Sequence, residues 1–246
     1  EGRIADMSLN DILDALFPAG HAVAVANQVI TGEAQTAQGP VAVLGTTDAA
    51  AIDHAMALAM ADFTLDTVEQ HPGRPLIFLV DTCGQALSRS QELLCLNGSL
   101  AHLAQCVDLA RKQGHVSFSL VTANAVSGGF LSFGLMADRA YALADAQVRV
   151  MDLRAMSRVT KIAHERLVEL AANSPIFAPG AESYVRMGGI EAIWPGPSAA
   201  LLESALSAAR QAGMASDQRM DAGLTRGGRN LATGVARAVQ DSAVGG

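Results

Sequence analysis

Lysine is nearly absent from this chain. Among 17 basic residues in 246, only Lys112 and Lys161 carry an ammonium group. That leaves little room for Schiff-base or serine–lysine chemistry. Cysteine is sparse as well. Cys83, Cys95 and Cys106 are odd in number and form no CxxC, which argues against a disulfide framework and a structural zinc site. The six histidines are scattered with no HxxxH pair, so no metal site is expected. No GxGxxG follows an apolar run and no GxxxxGK[ST] occurs, which removes the usual dinucleotide and nucleoside triphosphate sites. No apolar run is long enough to cross a membrane. No basic segment leads an apolar core near Glu1, as an export signal would. These absences set a cytoplasmic expectation with no membrane partner. The formal charge of −7 argues against a non-specific nucleic-acid partner.

What the chain has in quantity is small and apolar. Half of the residues are hydrophobic and 4% are aromatic, with 23 glycines. This suits tight helix–sheet packing and large faces buried against another chain, hence a hetero-oligomer. The length allows one large α/β domain or two small ones. Apolar spacing predicts a helix over Ile4 to Leu16 and a strand over Ala22 to Val29. A polar turn is expected from Thr31 to Pro40, then a strand over Val41 to Leu44. Asp48 is the natural cap of a helix from Ala49 to Gln70. Leu76 to Val80 reads as a strand buried on both faces. A polar loop over Gln85 to Ser90 precedes a helix from Gln91 to Gln113, and His115 to Val121 is the next strand. Short strands follow over 138–143 and 147–151, then helices over 162–173, 201–212 and 231–244. The pattern divides the chain into a main unit, 1–213, and a polar, helical tail, 214–246. Alternating pairs of strands with helices imply a mixed sheet with helices around it.

The most informative stretch is Val121 to Ala144. A strand runs into Ser127-Gly-Gly129, a small-residue helix and Asp138-Arg139. A glycine pair at a helix mouth lets backbone N–H groups approach a ligand without side chains between. Gly128 and Gly129 are therefore candidate oxyanion donors, and a side chain at Gly129 is expected to stand where a substrate oxygen approaches. Close helix–sheet packing is the competing explanation. Ser127 reads as a helix-capping hydroxyl. The turn also resembles that of ClpP-like serine peptidases, but no spacing supports Lys161 or His102 as the base. Arg154 and Arg158 suit a carboxylate or phosphate, against pairing with Asp152 or Glu165. Gln91-Glu92 suits an orienting role. Trp194 is expected in the core or against a partner, the cysteines buried and inert, and Asp138-Arg139 a pair that closes the fold.

Three segments in order resemble the crotonase fold, and more narrowly the carboxyltransferase branch of acyl-CoA carboxylases and decarboxylases. They are Val41 to Gly45 with Pro75 to Gly84, Ser127 to Arg139, and Met187 to Ile193. Asp81 to Glu92, Asn124 to Phe130 and Val150 to Thr160 are similar to the gamma subunits of biotin-independent malonate decarboxylases. The resemblance covers about Ala22 to Pro197 and implies an α/β, crotonase-like ββα superhelix of the ClpP/crotonase, carboxyltransferase type. It also implies a beta subunit of the same fold as partner. The pair would decarboxylate a malonyl thioester on an acyl carrier protein to an acetyl thioester and CO2. The carrier's arm would be phosphoribosyl-dephospho-CoA, with no biotin and no cofactor bound by this chain. On this resemblance Gly84 and Gln85 supply donors facing Gly128 and Gly129, and Ser127, Ala86, Arg154 and Arg158 contact substrate. Cys83 stands where the family has proline, leaving that turn less constrained. A non-catalytic scaffold is the alternative role.

Overall fold

The computed structural model describes residues 7–175, 178–212 and 217–244. Ile4 to Asp6 of the expected first helix lie outside them, as does the boundary expected after residue 213. Helix α1 (Leu9–Leu16) starts at Ser8, whose side chain accepts from the Asp11 N–H while Asp11 accepts from the Ser8 backbone. Bonds from Ser8 to the Asp11 carboxyl, the side-chain one first, hold it below its ordinary range.

Strands β1 (His21–Ala26) and β2 (Val29–Thr36) form a hairpin, and β3 (Gly39–Thr46) pairs antiparallel with β2. The expected turn over Thr31 to Pro40 is therefore mostly strand. Asn27 and Gln28 make the hairpin turn, with φ of 50° and 61°, as a mirror-image two-residue turn requires. β2 reads as polar because its outer residues face solvent, while Val29, Ile30 and Ala34 are buried.

Strand β4 (Ala50–Ile52) precedes helix α2 (His54–Gln70), so that helix begins five residues later than expected. Asp53, not Asp48, is the cap, and accepts from the Met56 N–H at 2.8 Å. Asp48 and Ala49 sit at positive φ in a turn. Strand β5 (Leu76–Gln85) runs through the start of the expected loop. Helices α3 (Arg89–Leu93) and α4 (Leu96–Lys112) replace one long helix, broken where Cys95 adopts φ 57°. Then come β6 (Ser117–Val126), α5 (Ser127–Ser132), β7 (Arg139–Leu143) and β8 (Gln147–Arg149). Helix α6 (Leu153–Thr160), not foreseen, precedes α7 (His164–Asn173). The remainder is α8 (Ala181–Arg186), β9 (Ala192–Trp194), α9 (Ala199–Ala212), α10 (Arg219–Thr225) and α11 (Ala232–Val244). No helix among the described residues is long and apolar enough to cross a membrane.

The sheet order is β1-β2-β3-β5-β6-β7-β9, parallel from β3 onward. Along β5, Leu76, Phe78 and Val80 enter the core under α2, α4 and α5, and Ile77 and Leu79 enter the core under α1 and α9. This two-residue alternation between two covered faces explains the continuous apolar run. Trp194 is buried against Phe118 and Tyr141, with ring centroids 6.3 and 5.0 Å away. Burial raises the Tyr141 hydroxyl pKa.

Beyond Val80 the strands leave this arrangement. A register irregularity separates Val80 from Thr82, after which the end of β5 pairs with β4 and the end of β6 pairs with β8. The mixed sheet thus sends a short four-strand shelf, β4-β5-β6-β8, out at its C-terminal edge.

At the opposite edge, Asp138 and Arg139 close the fold against other residues rather than each other. Asp138 Oδ2 accepts from the Ser117 N–H at 2.7 Å and hydroxyl at 3.0 Å. Arg139 pairs with Glu191 at 3.3 Å. The C-terminal helices are sewn on nearby. Arg226 donates to the Val185 and Ile190 carbonyls, and Arg219 to the Ala137 carbonyl. A methyl on Gly188 would meet the Arg219 carbonyl oxygen at 2.2 Å, so this contact needs glycine.

Asp138→Ala strips the buried Ser117 N–H of its acceptor. Leaving such a donor unpaired costs about 2–3 kcal/mol. A melting temperature lowered by roughly 5–10 °C is expected in thermal unfolding.

Candidate functional site

Five residues singled out from the sequence meet at the end of the shelf. β5 ends in Gly84-Gln85, and β6 turns at Ser127 into α5. A Cβ on Gly84 would lie 3.5 Å from the Ser127 Cβ, and one on Gly128 would lie 3.1 Å from Gln85 Oε1. The Gly128 N–H donates to Gln85 Oε1 at 3.2 Å. A side-chain carbonyl oxygen of the chain itself thus sits on the Gly128 donor. The first N–H groups of a helix have no acceptor within it, so Ser127, Gly128 and Gly129 present donors here. α5 spans six residues, so individual N–H groups rather than a long macrodipole are what it offers.

Other donors are committed. The Gly84 N–H donates to Thr82 Oγ1 at 3.0 Å, and the Ala86 N–H donates to the Ile52 carbonyl at 2.8 Å. The expected donor role therefore fails for Gly84 in this arrangement, and Ala86 takes part through strand pairing. Gly129 faces the strand, not the opening. A Cβ there would lie 2.7 Å from Thr82 Oγ1 and 2.9 Å from the Gly84 carbonyl carbon. Close helix–strand packing accounts for this glycine. Ser127 makes no side-chain cap; Val126 is the cap residue, and Ser127 itself sits at φ 49°. That sharp strand-to-helix turn sets the Gly128 N–H against the Gln85 side chain.

Asp81 and Thr82 organise the site and had no role in the sequence reading. Asp81 Oδ2 accepts from the Ala49 N–H at 2.8 Å, and Oδ1 from the Asn124 N–H and side-chain amide, both at 3.0 Å. Thr82 Oγ1 donates to the Ala50 carbonyl at 2.6 Å. The signal was a charged residue directly after a buried parallel strand, where α/β folds place their sites. Thr82 supplies from its side chain the turn constraint that a proline at position 83 would supply from its ring. Cys83 itself is exposed, as is Cys95; only Cys106 is buried, where desolvation first and Asp62 second raise its thiol pKa. The expectation of three buried cysteines holds for one, because β5 turns Cys83 outward past Val80 and Cys95 sits at the break between α3 and α4.

Arg154 and Arg158 do not join the turn. They lie one helical turn apart on α6, exposed, and neither forms an ion pair among the described residues. Asp152, one of their expected partners, caps α6 by accepting from the Ala155 N–H at 2.7 Å, which lowers its carboxyl pKa. Arg149, not foreseen, stands on β8 opposite Val126, beside the turn. Three arginines thus flank one side of the shelf. Gln91 reaches back from α3, its Oε1 accepting from the His54 N–H at 2.8 Å, so its orienting role concerns α2. A cavity of about 380 Å³ lies elsewhere, at the start of β7 between Arg139, Glu191, Arg219 and Arg226. Its arginines are engaged by Glu191, Asp217 and backbone carbonyls.

This sheet with its shelf is the fold seen in chains of malonate decarboxylase and transcarboxylase structures. A Pseudomonas malonate decarboxylase hetero-tetramer in complex with coenzyme A contains a chain that superposes with a TM-score of 0.75 at 24% identity, covering 94% of this chain and 97% of that one. Transcarboxylase 12S, with methylmalonyl-coenzyme A and methylmalonic acid bound, gives 0.69 at 17% identity over 82% of this chain and 41% of that one. The particular family follows from sequence. The model of the malonate decarboxylase gamma subunit matches residues 46–243, and the chain belongs to that family. A malonyl-S-ACP:biotin-protein carboxyltransferase from Malonomonas rubra is 35% identical over 141 residues, 54% of this chain. The chain spans about half, 48%, of that curated relative's length.

The two glycines of the turn separate in a stability test. Gly129→Ala overpacks α5 against β5, a cost of about 1–3 kcal/mol, and is expected to lower the melting temperature by several degrees. In Gly128→Ala the new methyl meets only the flexible end of Gln85 and the Leu100 side chain, and melting is expected within a degree or two of the parent.

Proposed function

We propose that this chain is a catalytic subunit of a malonyl-thioester decarboxylase. With a partner of the same fold it converts a malonyl thioester on an acyl carrier protein to an acetyl thioester and CO2. The observation that carries this is the Gly128 N–H bonded to Gln85 Oε1 at the junction of the two turns, in a chain of the gamma-subunit family. Breaking the bond between the methylene carbon and the carboxylate leaves an electron pair that delocalises onto the thioester oxygen. That oxygen displaces the Gln85 carboxamide and takes its place on the Gly128 N–H. A fixed donor there strengthens its bond as charge develops, and one such donor contributes roughly 10²–10³ in rate. The enolate needs no nucleophile, so Ser127 serves as a turn residue.

In this reading the paired strands and helices follow the ββα superhelix of the carboxyltransferase branch. Residues 1–213 carry that unit and 214–246 close its end. The substrate arm, a phosphoribosyl-dephospho-CoA on the carrier, brings phosphates that suit Arg154, Arg158 and Arg149, none of which forms an ion pair among the described residues. The partner covers the apolar side chains around the shelf. Leu87, Leu93, Leu94, Val150 and Val159 are between 49% and 80% exposed, more than a solvent-facing surface of this size ordinarily carries. The complex is cytoplasmic and uses no biotin. Because the Malonomonas rubra relative is a biotin-protein carboxyltransferase, avidin is the discriminating reagent.

Two measurements test this. In the reconstituted complex, acetyl-thioester formation is expected to fall about a hundredfold in Gly128→Ala, whose methyl, 3.1 Å from the place of Gln85 Oε1, displaces the oxygen that must sit there, with assembly unchanged by gel filtration and wild-type turnover indifferent to avidin. Unchanged turnover in Gly128→Ala leaves the scaffold role; turnover that avidin abolishes makes the reaction a carboxyl transfer to biotin. The double variant Arg154→Ala/Arg158→Ala is expected to raise KM for the carrier-borne substrate roughly tenfold, with little change for a short malonyl thioester lacking the phosphates.

A further inference from the structure

Decarboxylation to an enolate is half of a reaction; the carbon must then take a proton, and the backbone N–H groups of the turn are too weakly acidic to give one. We infer that His54 supplies it, an inference that rests on the decarboxylase reading above.

Four contacts place this residue. β4 lies against the end of β5, with Ile52 opposite Gln85, and His54 follows two residues later at the start of α2. Gln91, just past the site loop, accepts from the His54 backbone N–H at 2.8 Å. The imidazole Nδ1 lies 2.6 Å from Ser99 Oγ on α4. The residue after Ser99 is Leu100, whose Cδ1 would lie 3.8 Å from a Cβ on Gly128. The backbone of His54 is therefore tied to the segment just past the loop that carries Gln85, and its ring to the helix whose next residue reaches toward Gly128.

The pairing with Ser99 is what makes this ring suited to proton transfer. Ser99 is 6% exposed, and its hydroxyl has no other hydrogen bond among the described residues. A hydroxyl both donates and accepts. It accepts from Nδ1–H both in the imidazolium and in the neutral ring left once Nε2 has given up its proton, so the ring changes protonation state without moving. Nε2 bonds to no protein atom among the described residues, and it is not one of the buried, unpaired side-chain atoms. It is the nitrogen left to face a substrate.

The bond from the methylene carbon to the carboxylate breaks and CO2 leaves. The electron pair rests as the enolate on the oxygen bound at Gly128. That pair then returns through carbon to take the Nε2 proton of the imidazolium, forming the methyl C–H bond and leaving neutral imidazole. Solvent restores the proton, so each turnover consumes one.

The test separates bond breaking from protonation. The assembled complex is given malonyl thioester in the presence of ¹³C-labelled CO2, and two rates are measured: net formation of acetyl thioester, and entry of label into remaining malonyl thioester by return of CO2 to the enolate. His54→Asn keeps an amide at the Nδ1 position for Ser99 and deletes Nε2; His54→Gln is the second variant, and thermal unfolding checks both. Net formation is expected to fall about a hundredfold while label entry persists, so that the ratio of exchange to turnover rises. A variant that folds and turns over within threefold of wild type overturns the proposal. So does one in which both rates fall together, because a positioning defect at the turn would do that. If the wild-type complex forms no acetyl thioester, the decarboxylase reading fails first, and the proposal with it.

Discussion

One carboxylate holds the working end of this molecule together. Asp81 stands where β5 leaves the main sheet, and its two oxygens accept from the turn before β4 and from β6. Strands in a parallel sheet diverge with the sheet's twist once their ladder ends. Bonds from a half-buried ion to backbone N–H groups on both sides keep these strand ends side by side after the register slips. Charge-assisted bonds of this kind are worth roughly twice neutral ones, and their geometry fixes where the next residues go. Thr82 then closes the Gly84 turn, and Gly129 lets α5 rest directly on it. The opening at Gly128 is what that packing leaves over: a donor whose acceptor is the end of the Gln85 side chain.

The corner divides its labour between backbone and side chains in a way that sorts the glycines. Gly84 is glycine because its φ of 110° disfavours any side chain, and Gly129 because protein lies against it. Gly128 is small where only the Gln85 amide and a leucine stand near. The arginines stay off this corner, on β8 and α6, where they can meet a charged arm without drawing a carboxylate away from the enolate position. α6 itself has no buried residue and α7 has only Leu167. This helical arm has little core of its own, as suits a segment that packs against something else.

The sequence was legible where burial was complete. Leu76 to Val80 could only be a strand covered on both faces, and Ser127-Gly-Gly129 between a strand and a small-residue helix marked the turn. The family resemblance then put the turns in order. Illegible features had weaker local signals. The first hairpin turns at Asn27-Gln28, which lacks the usual glycine, and β2 alternates polar residues toward solvent. Cys95 breaks a helix in a conformation its side chain does not favour. Asp48 and Asp53 both look like caps, and only the need for β4 to pair with β5 decides between them. The purpose of each glycine was beyond reach, because Gly128 and Gly129 differ in what stands opposite, a contact made by residues some forty positions away. His54 and Ser99 were hidden for the same reason.

The stitching of the C-terminal helices sets an order of events during synthesis. Chains are made from the N-terminus and fold as they emerge, and β1 through β7 need nothing from beyond residue 143 to pair. The carbonyls of Ala137, Val185 and Ile190, however, wait for Arg219 and Arg226. Until those arginines arrive, the edge holding β7 and β9 keeps exposed acceptors and an unclosed seam, while the corner at Gly128 is already formed. The corner with Gly128 is thus built early, and the far edge of the sheet is locked late.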